Sequence, residues 1–404
     1  MNLEIPKKFS PLINQAQQVA REVFRPISRK YDRAEHEYPK ELDLLASIMD
    51  GMNDGAADGG TGAGKLARSE SNGGGGNRNG TNMKTVLGLT ELCWGDVGLA
   101  LSIPRQGLGN SAIAAVANEE QLARLGNTWA AMAITEPGAG SDSAAIRTTA
   151  TEDGDGDGYI LNGEKIYVTA GERADAVVVW ATLDRNKGRA AIKSFVVEKG
   201  TAGMTVERLE KKLGIRASDT AAIRFDNCRI PKENLLGDSD VSVEKGFAGA
   251  MQTFDNTRPV VAGMAIGVAS AALQKTRELI ALTGTDLEYH HQTWTQPAVT
   301  RELQLMEAEL EAARLLTLRA AWMADNGLPN SKEASIAKAK AGRVGNVVTL
   351  RCVELCGSLG YGETELLEKW ARDSKILDIF EGTQQIQLLI IARRLLGKSS
   401  AELK

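Results

Sequence analysis

Histidine is nearly absent from this chain, with three in 404 residues, and cysteine is sparse, with four. Cys93 and Cys228 stand far apart. Cys352 and Cys356 would share a helix face, but no histidine or further cysteine lies near them, so no metal centre is expected. Buried reduced thiols are the expected state. His290 and His291 are adjacent, and adjacent residues do not share a helix face. A strong excess of charge is also missing: the net value of −4 excludes the basic footprint of a nucleic-acid binder. No run of 18 apolar residues occurs, and Met1–Lys8 lacks the apolar core of a signal peptide, so a cytoplasmic protein without a membrane span is expected.

What is present is ordinary globular material, 43% hydrophobic and 25% charged, in a chain long enough for two or three packed units. Residues 1–130 carry helical periodicity, interrupted over 51–82 by a Gly/Asn/Asp-rich stretch with too few large apolar side chains to repay the entropy of ordering. A mobile loop or insertion is predicted there. Within it, Gly59–Leu66 imitates a phosphate-binding loop, but Leu66 replaces the Ser/Thr that would hold magnesium and no apolar strand precedes it. Over 131–245 the pattern becomes strand-like, with short apolar runs such as Ala176–Trp180 and Ser194–Val197 between turn signals at Asp157-Gly158, Asn162-Gly163 and Asp226-Asn227, which predicts an antiparallel β domain. From 246 to 404 helices return. Pro259 suits a helix start before a long apolar run to Ile280, and further helices are predicted over 303–326, 334–355 and 365–396. The order is helical domain, β domain, four-helix bundle, an α+β architecture.

Two segments carry chemistry. Glu381 stands between apolar Phe380 and Gly382, where desolvation raises a carboxylate above its usual pKa of about 4.3 and makes it a stronger base. Thr135-Glu136-Pro137-Gly138-Ala139-Gly140-Ser141-Asp142 is a tight turn whose backbone can approach a planar or phosphorylated ligand, with hydroxyl donors at Thr135 and Ser141.

This second segment resembles the flavin loop of the acyl-CoA dehydrogenase family. The resemblance continues through Tyr159–Thr169, Lys212–Ser218, Phe225–Pro231, Phe254–Pro259, Ala334–Lys338 and the Glu381 segment, in order, from about residue 90 to the C-terminus. It implies FAD-dependent α,β-dehydrogenation of an acyl-CoA thioester to the trans-2-enoyl-CoA, as in fatty-acid β-oxidation. Glu381 would remove the α proton, and the β hydrogen would leave as hydride to flavin N5. The resemblance places Met132, Ile134, Thr135, Gly140, Ser141, Tyr167 (where the family often has Trp), Thr169, Thr383 and Gln385 at FAD. Ser141, Phe254, Asp255, Thr257, Arg258, Phe380 and Gly382 fall at the substrate, and Thr257 stands where some branches of the family carry the base as Glu. An electron-transferring flavoprotein is the implied acceptor.

Two elements depart from that family. In homotetrameric members a neighbouring subunit clasps the ADP half of FAD with an Arg-x-x-Phe-Gly element and with a Gln before a Gly-Gly-x-Gly turn. Here those regions read Leu282–His291 and Glu354-Leu355-Cys356-Gly357-Ser358-Leu359-Gly360, with Glu354 in place of the Gln. An anion there would repel a pyrophosphate. The expectation is an α2β2 heterotetramer whose sister chain supplies the clasp, otherwise a homotetramer with a different one. A non-catalytic partner subunit and a flavin oxidase or monooxygenase on the same scaffold are the alternative functions.

Overall fold

The computed structural model describes residues 5–46, 80–104, 108–239, 248–285, 287, 291–399 and 402, and of 248–254, 256 and 293 the backbone alone. The phosphate-loop imitation at 59–66 and most of the Gly-rich stretch lie outside the described residues. Its end does not: Thr81 and Asn82 already belong to a helix.

In the N-terminal part, α1 (Ser10–Val19) runs through a π turn (Ala20–Phe24) into α2 (Arg25–Arg33). The following helices are α3 (Thr81–Gly95), α4 (Val97–Ala100), α5 (Leu108–Val116) and α6 (Glu119–Leu125). The start of α3 is capped from elsewhere in the chain: Asp325 accepts from the backbone N–H groups of Gly80, Asn82 and Met83 at 2.6, 2.9 and 3.0 Å, meeting donors that no side chain of α3 satisfies.

The β domain holds β1 (Ala130–Ala133), β2 (Thr149–Glu152), β3 (Gly158–Thr169), β4 (Ala176–Thr182), β5 (Ile192–Glu198), β6 (Met204–Leu209) and β7 (Thr220–Pro231), in the order β1-β4-β2-β3-β7-β6 with β5 on β4. The expected antiparallel pairing holds for β2–β3, β3–β7, β4–β5 and β6–β7, but β1 pairs with β4 in parallel. The chain between them passes through the Thr135 loop and the β2–β3 hairpin, a crossover long enough to bring β4 back in the same direction.

The last part contains α7 (Ala248–Ala281), α8 (Ala298–Asp325), α9 (Ser331–Leu355), α10 (Gly357–Tyr361), α11 (Leu367–Ser374) and α12 (Gln384–Leu396). Two expectations need correction. Pro259 does not start α7 but lies inside it. Its missing N–H removes one helix bond, and burial on both sides holds the helix together across the gap. The helix expected over 365–396 is broken: α11 ends at Ser374, a 3₁₀ turn covers Lys375–Asp378, and α12 starts only at Gln384.

The two helical parts share one apolar core, in which Phe24, Tyr31, Cys93 and Leu99 pack with Ala262–Leu273 of α7, Leu303, Ala337 and Trp370. Small residues let α7 lie against α3, since a Cβ on Gly267 would fall 2.2 Å from the Thr90 carbonyl oxygen. The β domain is fastened at one buried junction. Lys369 Nζ lies 2.6 Å from Asp96 Oδ2 and 2.5 Å from Asp373 Oδ2, while Asp373 Oδ1 accepts from the Ile215 N–H at 2.6 Å. Burial alone would discharge Lys369, but the two carboxylates hold its pKa above the ordinary lysine value. Among the described residues no helix is long and apolar enough to cross a membrane.

Candidate active site

The break between α11 and α12 is built around Glu381. Its φ is 55° and that of Gly382 is 90°, both left-handed. Glycine takes such values freely, whereas a glutamate pays strain of order 1–3 kcal/mol and stays only where its surroundings hold it. They do so here at three points. Lys338 Nζ on α9 donates to the Gly382 carbonyl at 2.6 Å, and Gln387 Nε2 on α12 donates to the carbonyls of both Glu381 and Gly382 at 3.0 Å. Thr383 caps α12, its hydroxyl accepting from the Ile386 N–H. Both Lys338 and Gln387 are fully buried.

The side chain of Glu381 is fixed from α7: Thr257 Oγ1 donates to Glu381 Oε2 at 2.8 Å. One turn of sequence away, Arg258 pairs with Asp255, and both Thr257 and Arg258 are buried. Burial pushes the Glu381 carboxyl above its ordinary pKa, and the Thr257 hydrogen bond, Arg258 and Lys338 pull against that without cancelling it. Burial also raises Asp255 against the pull of Arg258. A carboxylate so placed is a base poised nearer neutrality than a solvated one. Phe380, half-buried, packs against the main core beneath it. The side chain of Phe254 lies outside the described residues.

The Thr135 loop is a second constellation. Glu136 and Ala139 bond each other's backbones, closing the turn. Inside it, Glu136 is buried and accepts from the N–H groups of Arg147 and Thr148 at 2.6 and 2.9 Å, from Thr148 Oγ1 at 2.6 Å and from Lys165 Nζ at 2.8 Å. Lys165, fully buried, also donates to the Ile134 carbonyl at 2.9 Å. Burial lowers its pKa to about 8. The loop is thus tied to β3 by a buried ion pair, reinforced by the Ile166 N–H to the Thr135 carbonyl at 2.9 Å.

On β3 the register shifts between Lys165 and Val168, and Tyr167 within that bulge has a φ of 58° and is 61% exposed. The bulge turns the ring away from the sheet. Thr169 is half-buried opposite Thr220, Ser141 is exposed, Met132 is half-buried and Ile134 buried. A Cβ on Gly138 or Gly140 would meet open space. A free aromatic face, exposed hydroxyls and an open glycine turn are a donor set that fits a flavin. Thr383 is half-buried and Gln385 exposed on α12, on the other side of the domain junction.

Sequence reasoning found Glu381 and the loop but gave no role to Lys338, Gln387, Glu136 or Lys165. For Lys338 a signal existed: it lies on the apolar stripe of α9 with Ala334, Ala337, Ala341 and Val348, all buried, where a lysine is out of place. Glu354 pairs with Arg351, which bridges it to Glu302, so this group of two carboxylates and one guanidinium stays net negative.

The model of the acyl-CoA dehydrogenase middle domain matches residues 131–228, and that of the acyl-CoA dehydrogenase C-terminal domain matches 244–396. The chain belongs to the acyl-CoA dehydrogenase family. The short-chain specific acyl-CoA dehydrogenase of Megasphaera elsdenii is 34% identical over 334 residues, 81% of this chain and 85% of that one. The mitochondrial short-chain specific acyl-CoA dehydrogenase of Rattus norvegicus is 39% identical over 277 residues, 67% of this chain, and the match spans 64% of the rat protein's length. The solved structure of butyryl-CoA dehydrogenase from M. elsdenii superposes with a TM-score of 0.81 at 30% identity, covering 98% of this chain and 100% of the other. The acyl-CoA dehydrogenase family is one of FAD-dependent oxidoreductases.

Proposed function

We propose that this chain catalyses α,β-dehydrogenation of an acyl-CoA thioester, with Glu381 as the base. The observation that carries the reading is a half-buried carboxylate on a left-handed turn, its pKa raised by desolvation, hydrogen-bonded by Thr257 and backed by Phe380. The α C–H bond breaks, its proton passes to the Glu381 carboxylate, and the α–β double bond forms. Bound FAD would supply the acceptor for the β hydrogen and its electron pair. Its holders would be Met132, Ile134, Thr135, Gly140, Ser141, Tyr167 and Thr169 on the β domain, with Thr383 and Gln385 from α12. The Glu381 backbone N–H would donate to the thioester carbonyl, whose oxygen gains charge as the α proton leaves. Asp255, Thr257, Arg258, Phe380 and Gly382 would line the acyl-CoA site with Ser141 and Phe254.

The names of the relatives favour a short acyl group, so butyryl-CoA is the first substrate to try. Anaerobic butyryl-CoA is expected to bleach the flavin of the full chain, whereas Glu381→Gln is expected to keep its flavin and leave it oxidised. Bleaching by E381Q at the wild-type rate would remove Glu381 from the mechanism.

For assembly we infer a heterotetramer whose sister chain completes the FAD site, with an electron-transferring flavoprotein as acceptor. The clasp residues expected of a self-sufficient subunit are missing. Exposed apolar residues on α9 (Val347, Leu350) and on α12 (Leu388, Leu389, Leu395, Leu396) support coverage by another chain.

A further inference from the structure

Lys338 holds the Glu381 turn from α9 and has no role in the proton abstraction proposed above. It projects from α9 into the main core, is fully buried, and spends its ammonium on a neutral acceptor, the Gly382 carbonyl, at 2.6 Å. A lysine in such a place costs the protein several kcal/mol of desolvation unless charges around it compensate. Asp378 on the 3₁₀ turn and Glu381 itself favour the ammonium, while Arg258 on α7 opposes it. Asp378 is contacted by Arg343 Nη2 at 3.6 Å, and Arg258 is bound to Asp255. Around the turn, Glu381, Asp378 and Asp255 therefore face Lys338, Arg258, Arg343 and Arg394, with Arg343 more than half exposed.

We propose that Lys338 is a positioning residue for the reaction inferred above, on which this assignment rests: its ammonium holds the Gly382 carbonyl, one peptide beyond Glu381, and favours the ionised Glu381 carboxylate. Two consequences follow from the geometry. The bond to the Gly382 carbonyl orients the Gly382–Thr383 peptide, so without it Gln387 alone holds the carbonyls of the turn. Loss of the cation removes one of the charges that favour the ionised Glu381 carboxyl against burial, so its pKa rises further. The direction is fixed: Glu381 becomes a weaker acid, and the lower limb of the pH profile moves to higher pH. Burial brings the Lys338 pKa down to about 8, against the pull of Asp378 and Glu381.

The test uses the full chain loaded with FAD, co-expressed with its partner chain if it needs one. The probe is 3-oxabutyryl-CoA, which has an α CH2 but oxygen in place of the β carbon. Exchange of its α hydrogens with D2O, followed by NMR from pH 5 to 9, reports proton abstraction without oxidation. Lys338→Met removes both charge and donor; Lys338→Gln keeps an amide donor without charge. In both, the acid limb is expected to rise by about one pH unit, the lower end for a charge this close. K338M is also expected to lose about tenfold of its plateau rate, and K338Q less, because an amide can still hold the carbonyl. Melting temperature and flavin content are recorded alongside. Acid limbs in both variants that coincide with wild type, with rates lowered only in step with melting temperature, would reduce Lys338 to a packing residue. Failure of both variants to fold would assign it the same purely structural role. Exchange that is absent from wild type, or equal in wild type and E381Q, would instead overturn the base assignment itself.

Discussion

Thr257 and Glu381, 124 residues apart in sequence, meet through a 2.8 Å hydrogen bond from the threonine hydroxyl to the carboxylate. A hydroxyl donated to a buried carboxylate stabilises the charged form, so Thr257 restrains a pKa that burial drives upward.

Removing that hydroxyl has a signed effect. A hydrogen bond to a charged acceptor contributes about 1.5–3 kcal/mol, and 1.36 kcal/mol is one pKa unit. Thr257→Val is expected to raise the acid limb of flavin reduction by about one to two pH units. The base works only when deprotonated, so the variant loses rate below the shifted limb and approaches wild type above it. A stopped-flow profile of kcat from pH 5 to 9 measures this; a uniform loss at every pH would assign Thr257 to substrate binding instead.

Strain at the base predicts a trade between function and stability. Glycine accepts the φ of 55° that glutamate tolerates only under constraint. Glu381→Gly is expected to abolish turnover and to stabilise the fold by about 1 kcal/mol. Thermal melting of the two proteins, each loaded with FAD, checks the sign. The neighbouring Gly382→Ala is expected to do the reverse, because its Cβ would fall 2.4 Å from Gln387 Nε2 at a φ of 90°.

The Glu136–Lys165 pair makes a third case. Breaking a buried pair from one side leaves an uncompensated charge and costs about 3–5 kcal/mol, whereas replacing both partners by apolar residues is often neutral. Glu136→Leu or Lys165→Met alone is therefore expected to lower the melting temperature and release FAD on gel filtration. The double variant E136L/K165M is expected to recover stability. It is not expected to recover flavin fully, since the backbone bonds of Arg147 and Thr148 to Glu136 are gone as well.

Assembly is tested by the flavin-to-chain ratio. The heterotetramer predicts flavin-poor protein when the chain is expressed alone, and one flavin per two chains when a paralogous chain is co-expressed. One flavin per chain in a stable homotetramer would show that this chain closes its own ADP site.

Much of the protein is legible along the chain because it depends on neighbours in sequence. The change from helical to strand periodicity at 131, the Gly-rich turn after Thr135, the stop at Asn326-Gly327 and a carboxylate between Phe380 and Gly382 are all local patterns, and the order of the three regions follows from them. Local pattern misleads where a distant partner intervenes. The apolar spacing over 365–396 is helical, yet the chain leaves the helix at Ser374, because Lys338 and Gln387 capture the carbonyls of a turn that no neighbouring residue demands. Pro259 reads as a helix start, yet packing on both sides carries α7 through it. The sequence alone singled out Glu381 as the candidate base; the tertiary structure decided how it is held and charged. The reason is physical: propensity and periodicity act over a few residues, whereas Thr257, Lys338 and Glu381 affect one another through space, across 44 to 124 residues of chain, by burial, charge and hydrogen bonds that exist only once the helices have packed.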